Sequence, residues 1–237
     1  MKRQLVIEWQ AGRTVTGVLE AHPGPTGPSI LLAPGAGAGQ SHPFMAGLRE
    51  RLAAAGHPTL TFDYPYMAGG RRAPDRLPVL LDCHRAALLR LQRRGLPVVL
   101  AGKSMGGRVA SHLAAEHPGA AALVCYGYPL VSPSTGEERS TAHLAGMGIP
   151  VLFVSGSRDR LAPLPLLRRV AAGTAGADLE VIEGGDHGFR VPASAGLDPG
   201  AVLDSLAERT LEWIAGAVGS GASGRARGRG GSGLKSD

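Results

Sequence analysis

Apolar residues along this chain follow two rhythms. Short unbroken runs recur at 29–33, 59–62, 97–101, 122–126, 151–154 and 179–182. Between them, apolar positions repeat every three to four residues at 43–55, 75–94, 108–116, 164–172 and 199–218. The unbroken runs read as strands buried on both faces, and the longer rhythm as helices that hide one side. In the helix predicted over 75–94, Leu77, Leu81, His84, Leu88 and Leu91 fall on one stripe. Gly56 and Gly95 stand where helices should stop, and Asp198 with Pro199 where the last should start. Two shorter strands, 5–7 and 14–19, precede these, the second alternating as a half-buried antiparallel strand does. Segments 21–28, 67–74 and 127–149 read as loops. From residue 29 onward strands and helices alternate. This predicts an α/β fold with a mainly parallel central sheet and helices on both faces. In such sheets the site lies beyond the carboxyl ends of the strands.

One junction of the two rhythms carries chemistry. The run 97–101 enters Gly102-Lys-Ser-Met-Gly106, and a helical pattern follows at once. In a chain with 36 glycines the G-x-S-x-G spacing alone says little. Its place between a buried strand and a helix says much more. A sharp turn there lifts Ser104 out, and glycines on either side relieve the crowding.

A serine hydroxyl needs a base to take its proton, and the base needs an acid to orient it. His187 is the candidate base, in the Gly-flanked turn after the strand at 179–182. The other seven histidines are placed less well. His84, His112 and His117 lie on or after helices, His57 opens a strand at the opposite edge, and His22, His42 and His143 lie in loops. Asp159 is the candidate acid, five residues beyond the strand at 151–154. Asp63 and Asp186 compete for that role. Asp186 should face away, because successive residues in an extended turn point apart. Ser104, Asp159 and His187 each follow a strand, so all three are placed at one edge of the sheet.

Two backbone N–H groups should form an oxyanion hole, one from Met105 and one from Ala36 in the loop after residue 33. Gly35 and Gly37 flank Ala36 and would let substrate approach closely. The loop lacks the G-K-[ST] ending and the G-x-G-x-x-G spacing that phosphate binding would use. Tyr64, Tyr66 and Tyr128 are either pocket walls or ordinary packing residues. The triad chemistry calls for no cofactor and no metal.

Six motifs in order carry a resemblance: 33–39 (APGAGAG), 62–65 (FDYP), 101–108 (AGKSMGGR), 126–130 (YGYPL), 156–159 (GSRD) and 185–188 (GDHG). Together they resemble the α/β-hydrolases, and within them a subfamily of bacterial hydrolases related to a testis-expressed protein and to subunit 3 of the non-specific-lethal chromatin complex. More distantly the chain is similar to dienelactone hydrolases, whose nucleophile is Cys where this chain has Ser104. Pro34 stands before Gly35, where many α/β-hydrolases carry His. The resemblance implies the α/β-hydrolase fold and the order Ser104, Asp159, His187. The 23 positions of 127–149 leave room for only a minimal cap. The expected activity is therefore a serine hydrolase of small esters or thioesters, with a small-molecule ester as partner. The alternative is a non-catalytic binding or scaffold protein on the same fold.

Composition adjusts this picture in three places. The hydrophobic share, 43% of 237 residues, suits one sizeable core, which is assigned to 1–218. Net charge is +6, but residues 219–237 hold Arg225, Arg227, Arg229 and Lys235 against Asp237, which is +3 in the tail alone. That Gly/Ser/Arg segment reads as a disordered basic tail. Nucleic-acid contact is expected there weakly, if anywhere. Cys83 and Cys125 sit inside apolar patterns, and no signal peptide or membrane span is legible. A cytoplasmic location is the expectation.

Overall fold

A computed structural model describes residues 1–24, 26–116, 119–192 and 198–224. The unbroken apolar runs become β3 (Ser29–Ala33), β4 (Thr59–Phe62), β5 (Val98–Lys103), β6 (Ala122–Tyr126), β7 (Val151–Gly156) and β8 (Ala177–Ile182). Every residue of β3, β4, β6 and β7 is buried. The N-terminal hairpin, β1 (Lys2–Gln10) and β2 (Arg13–Glu20), is longer than expected, turning at Gly12 with φ +70°. It does alternate: Leu5 and Ile7 are buried, and Val6 between them is 68% exposed.

The eight strands form one sheet in the order β1-β2-β4-β3-β5-β6-β7-β8. β1 and β2 pair antiparallel, β2 meets β4 antiparallel, and β3 to β8 all run parallel. Because side chains alternate along each strand, the sheet feeds two cores. Leu31, Leu100, Leu123 and Phe153 enter one, covered by α3 (Leu77–Gln92), α4 (Met105–Glu116) and α5 (Leu164–Ala172). Ile30, Val99, Val124 and Leu152 enter the other, covered by α1 (Pro43–Ala54) and α6 (Pro199–Gly224).

The helix stops behave as their residues require. Gly56 takes φ +90° just past α1. The Asp198 carboxylate accepts from Gly200 N at 2.9 Å and caps α6. Some boundaries differ from expectation. Pro65–Ala68 forms a short helix, α2, where the loop was expected to begin, since Pro65 presets its first turn. The segment 127–149 is tied down by a bridge between Val131 and Glu138 and a 3₁₀ turn at Ala142–Leu144. No proline interrupts α6, and it runs to Gly224, through residues 219–224 that sequence assigned to the tail. Residues 225–237, and His117, lie outside the described residues.

Candidate active site

One residue, Ser104, separates the end of β5 from the start of α4. It adopts φ +51°, a left-handed conformation that a side chain resists. The turn is tight enough to exclude a Cβ at Gly102 and at Gly106. A Cβ on Gly102 would sit 2.3 Å from backbone atoms of Gly106 and Gly107, and one on Gly106 would sit 2.5 Å from Ala33 O. The G-x-S-x-G spacing is therefore a steric requirement of this backbone. Ser104 N donates to Tyr126 O at 2.8 Å, which fixes the turn against β6.

His187 and Asp159 meet the serine. Ser104 Oγ lies 2.9 Å from His187 Nε2, and His187 Nδ1 lies 2.8 Å from Asp159 Oδ2. The Asp159 side chain is fully buried. Its other oxygen accepts from Leu161 N at 2.8 Å and Ala162 N at 3.1 Å. A carboxylate that receives N–H groups on both oxygens assigns the proton to Nδ1 and leaves Nε2 as an acceptor. The His187 side chain is 29% exposed and lines the same cavity as Ser104.

The other two aspartates are occupied elsewhere. Asp186 Oδ1 accepts from Gly188 N and Arg190 N, and Oδ2 from Arg190 Nε, so it faces away from the imidazole. Asp63 receives Gln40 N at 2.8 Å and Gln40 Nε2 at 3.0 Å. That pair anchors one end of the loop after β3. Tyr66 Oη anchors its middle by donating to Ala36 O at 2.7 Å. Gly35, Ala36, Gly37 and Met105 line the same cavity as Ser104. Met105 opens α4, so its N–H has no partner within the helix.

Two expected wall residues are not at the wall. Tyr64 is wholly buried, with its hydroxyl 3.0 Å from His84 Nδ1, and Tyr128 is 1% exposed, with its hydroxyl 3.0 Å from Ser111 Oγ. Neither lines the cavity. Each hydroxyl found a partner in the interior, and the rings followed it into the core.

The cavity measures about 920 Å³ and is mostly apolar, with Phe44, Leu77, Val109 and Leu161 among its walls. Its polar lining includes four residues that sequence reading did not single out as site residues: Lys103, Arg108, His112 and Arg139. A signal existed for two of them. Ser104, Arg108 and His112 are spaced i, i+4, i+8, one stripe along α4. Lys103 Nζ donates to His187 O at 2.6 Å and so braces the turn that carries the imidazole. Burial pushes the Lys103 ammonium down to about 8, against the opposing pull of Asp159. No three His, Cys, Asp or Glu side chains gather as a metal site among the described residues.

A family model described as an alpha/beta hydrolase domain matches residues 26–215. Solved structures share the fold at low identity. A dienelactone hydrolase from Anabaena variabilis is 22% identical, with a TM-score of 0.72 over 92% of this chain and 98% of that one. An alpha-beta serine hydrolase homologue from Coxiella burnetii is 16% identical, with a TM-score of 0.70 over 88% and 97%. Est1E from Butyrivibrio proteoclasticus is 19% identical, with a TM-score of 0.66 over 90% and 99%.

Proposed function

The chain belongs to the α/β-hydrolase domain family, and from that premise we propose that it is a serine hydrolase of small esters or thioesters. The observation that carries this reading is the unbroken line from Ser104 Oγ through His187 to the buried Asp159 carboxylate, with links of 2.9 and 2.8 Å. As Ser104 Oγ attacks the substrate carbonyl carbon, its proton passes to His187 Nε2. Asp159 holds the imidazole in the accepting tautomer and stabilises the cation that forms. The carbonyl oxygen takes up negative charge opposite the N–H groups of Ala36 and Met105. The tetrahedral intermediate then collapses. The bond to the leaving oxygen or sulfur breaks, that atom takes the Nε2 proton, and an acyl-serine remains. Water then attacks the acyl carbon, giving a proton to Nε2; the bond to Ser104 Oγ breaks, Oγ takes that proton, and the acid is released.

The same reading assigns catalysis to residues 1–218 and none of it to the basic tail. The six ordered motifs support placing the chain with the bacterial hydrolases related to the testis-expressed protein and the chromatin-complex subunit. Cys83 and Cys125 are buried free thiols, which suits a cytoplasmic location. No helix among the described residues is long and apolar enough to cross a membrane.

A fluorophosphonate probe and a panel of p-nitrophenyl esters test the activity. The protein is expected to hydrolyse short esters and to be labelled once, on Ser104. The Ser104→Ala variant should lose both properties while keeping its unfolding midpoint. Label on another serine would overturn the assignment. A folded protein that is neither labelled nor active would favour the binding-protein alternative.

A further inference from the structure

The cavity holds an imbalance of charge that the hydrolytic mechanism does not use. Lys103, Arg108 and Arg139 all line it, and no aspartate or glutamate does. None of the three lies within ion-pair distance of a carboxylate among the described residues. The carboxylate next to Arg139 in the chain, Glu138, is already taken, paired with Arg169 at 2.8 Å. Lys103 is engaged with the His187 carbonyl. Arg108 gives Nη2 to Ser140 O, the residue after Arg139, and leaves Nη1 without a partner, so both guanidiniums serve the same end of the cavity. Burial is the first cause that holds Arg108 below its ordinary value, and the nearby Arg139 charge adds to it. Two cations that line one largely apolar cavity, with no carboxylate in its lining, favour an anion there.

Both positions are braced. Arg108 lies one turn beyond Ser104 on α4, roughly 6 Å along the axis. Its guanidinium stacks over Tyr128, 5.8 Å from the ring centroid, and Nη2 donates to Ser140 O at 2.7 Å. That bond fixes the backbone next to Arg139. Arg139 N donates to Leu130 O at 2.8 Å, which ties the same segment to the region beyond β6. The segment 127–149 therefore covers one end of the cavity and brings a cation to it.

Resting on the hydrolase reading, we propose that the preferred substrates are esters that carry a second, carboxylate group, bound by Arg108 and Arg139 at that end of the cavity. The subsite recognises charge at a fixed distance from the scissile bond, while the apolar walls accept the intervening carbon chain.

Matched ester pairs test this at low ionic strength. One pair places the charge on the acyl side: p-nitrophenyl hemiglutarate against p-nitrophenyl pentanoate. The other places it on the leaving group: 4-acetoxybenzoate against phenyl acetate. In at least one pair the anionic member is expected to show a kcat/KM about tenfold higher or more. Added salt should shrink that advantage, because Arg139 is exposed. Arg139→Gln and Arg108→Gln should each bring the ratio towards one, and Arg139→Lys should restore part of it. Arg139→Gln guards against a folding defect, since its side chain is at the surface. Hydrolysis of the neutral esters with no anionic preference in either pair would overturn the proposal and leave the hydrolase reading intact. A preference that survives both glutamine variants would overturn it as well. Should no ester be turned over, the hydrolase reading fails instead. Calorimetric titration with glutarate then decides the subsite alone: binding by the parent that Arg139→Gln loses supports it, and no binding by the parent ends it.

Discussion

Three aspartates could have supported His187, and their hydrogen bonds separate them. Asp159 gives one oxygen to the imidazole and the other to two backbone N–H groups, so it has no freedom to turn away. Asp186 is closed into its own turn with Arg190, and Asp63 is spent on Gln40. Asp159→Asn keeps the shape but loses the acceptor that selects the tautomer. A drop in kcat of order 10⁴ is expected, the figure for the equivalent change in the serine-protease template. Asp186→Asn and Asp63→Asn should lose far less, with Asp63→Asn acting only through the loop that bears Ala36. Steady-state kinetics on the three purified variants check the ranking, and a collapse confined to Asp63→Asn would reassign the acid. At this scale the sequence was legible where chemistry and chain order coincide, as at Ser104, Asp159 and His187. It was not legible for Tyr64 and Tyr128. A tyrosine near a strand end can turn either outward or inward, and only the position of an interior partner decides.

Among the elements, α3 shows what its apolar stripe does and does not reveal. Leu81, His84, Leu88 and Leu91 are buried as the spacing requires, whereas Leu77, at the first turn, is 38% exposed and reaches the cavity. His84 sits in that stripe with Nδ1 near Tyr64 Oη and Nε2 buried without a partner. Burial pushes its pKa down to about 3. An unfolded chain protonates the same ring near 6.5. Between these values the unfolded state holds one more proton than the folded state, so stability falls as pH drops from about 6.5 towards 3. The slope is about 1.4 kcal/mol per pH unit for one proton. His143, pushed down to about 4 mainly by burial, adds to it. His84→Gln keeps a polar atom for Tyr64 and does not titrate. Its urea midpoint should decline less steeply than the parent's below pH 6. Equal slopes would mean that the folded protein protonates His84.

Across the whole molecule, the site is assembled from segments far apart in the chain and close at one sheet edge. All the residues proposed for catalysis precede the basic tail. A protein ending at residue 224 should therefore keep kcat/KM within about twofold of the full chain. A loss of tenfold or more would bring the tail into the reaction. Net charge of +6 says little about this site on its own, because the cations that matter are the few lining the cavity without carboxylates.

Sequence by itself determined the alternation of strands and helices, the sharp turn at Ser104 and the placing of Ser104, Asp159 and His187 beyond strand ends. These follow from local physics: apolar periodicity, glycine's lack of a Cβ, and the rule that parallel strands end on one side. Strand order was decided only in the tertiary structure. β4 follows β3 in the chain yet lies on its far side, which leaves β3 beside β5 and carries Asp63 away from His187. β7 and β8 are neighbours, so Asp159 and His187 leave adjacent strand ends. Order depends on which buried faces fit together over long separations, and no short window of residues records that. The charge of the cavity has the same origin. Arg108 and Arg139 are 31 positions apart in the chain, and only the path of 127–149 back across α4 brings both to one cavity.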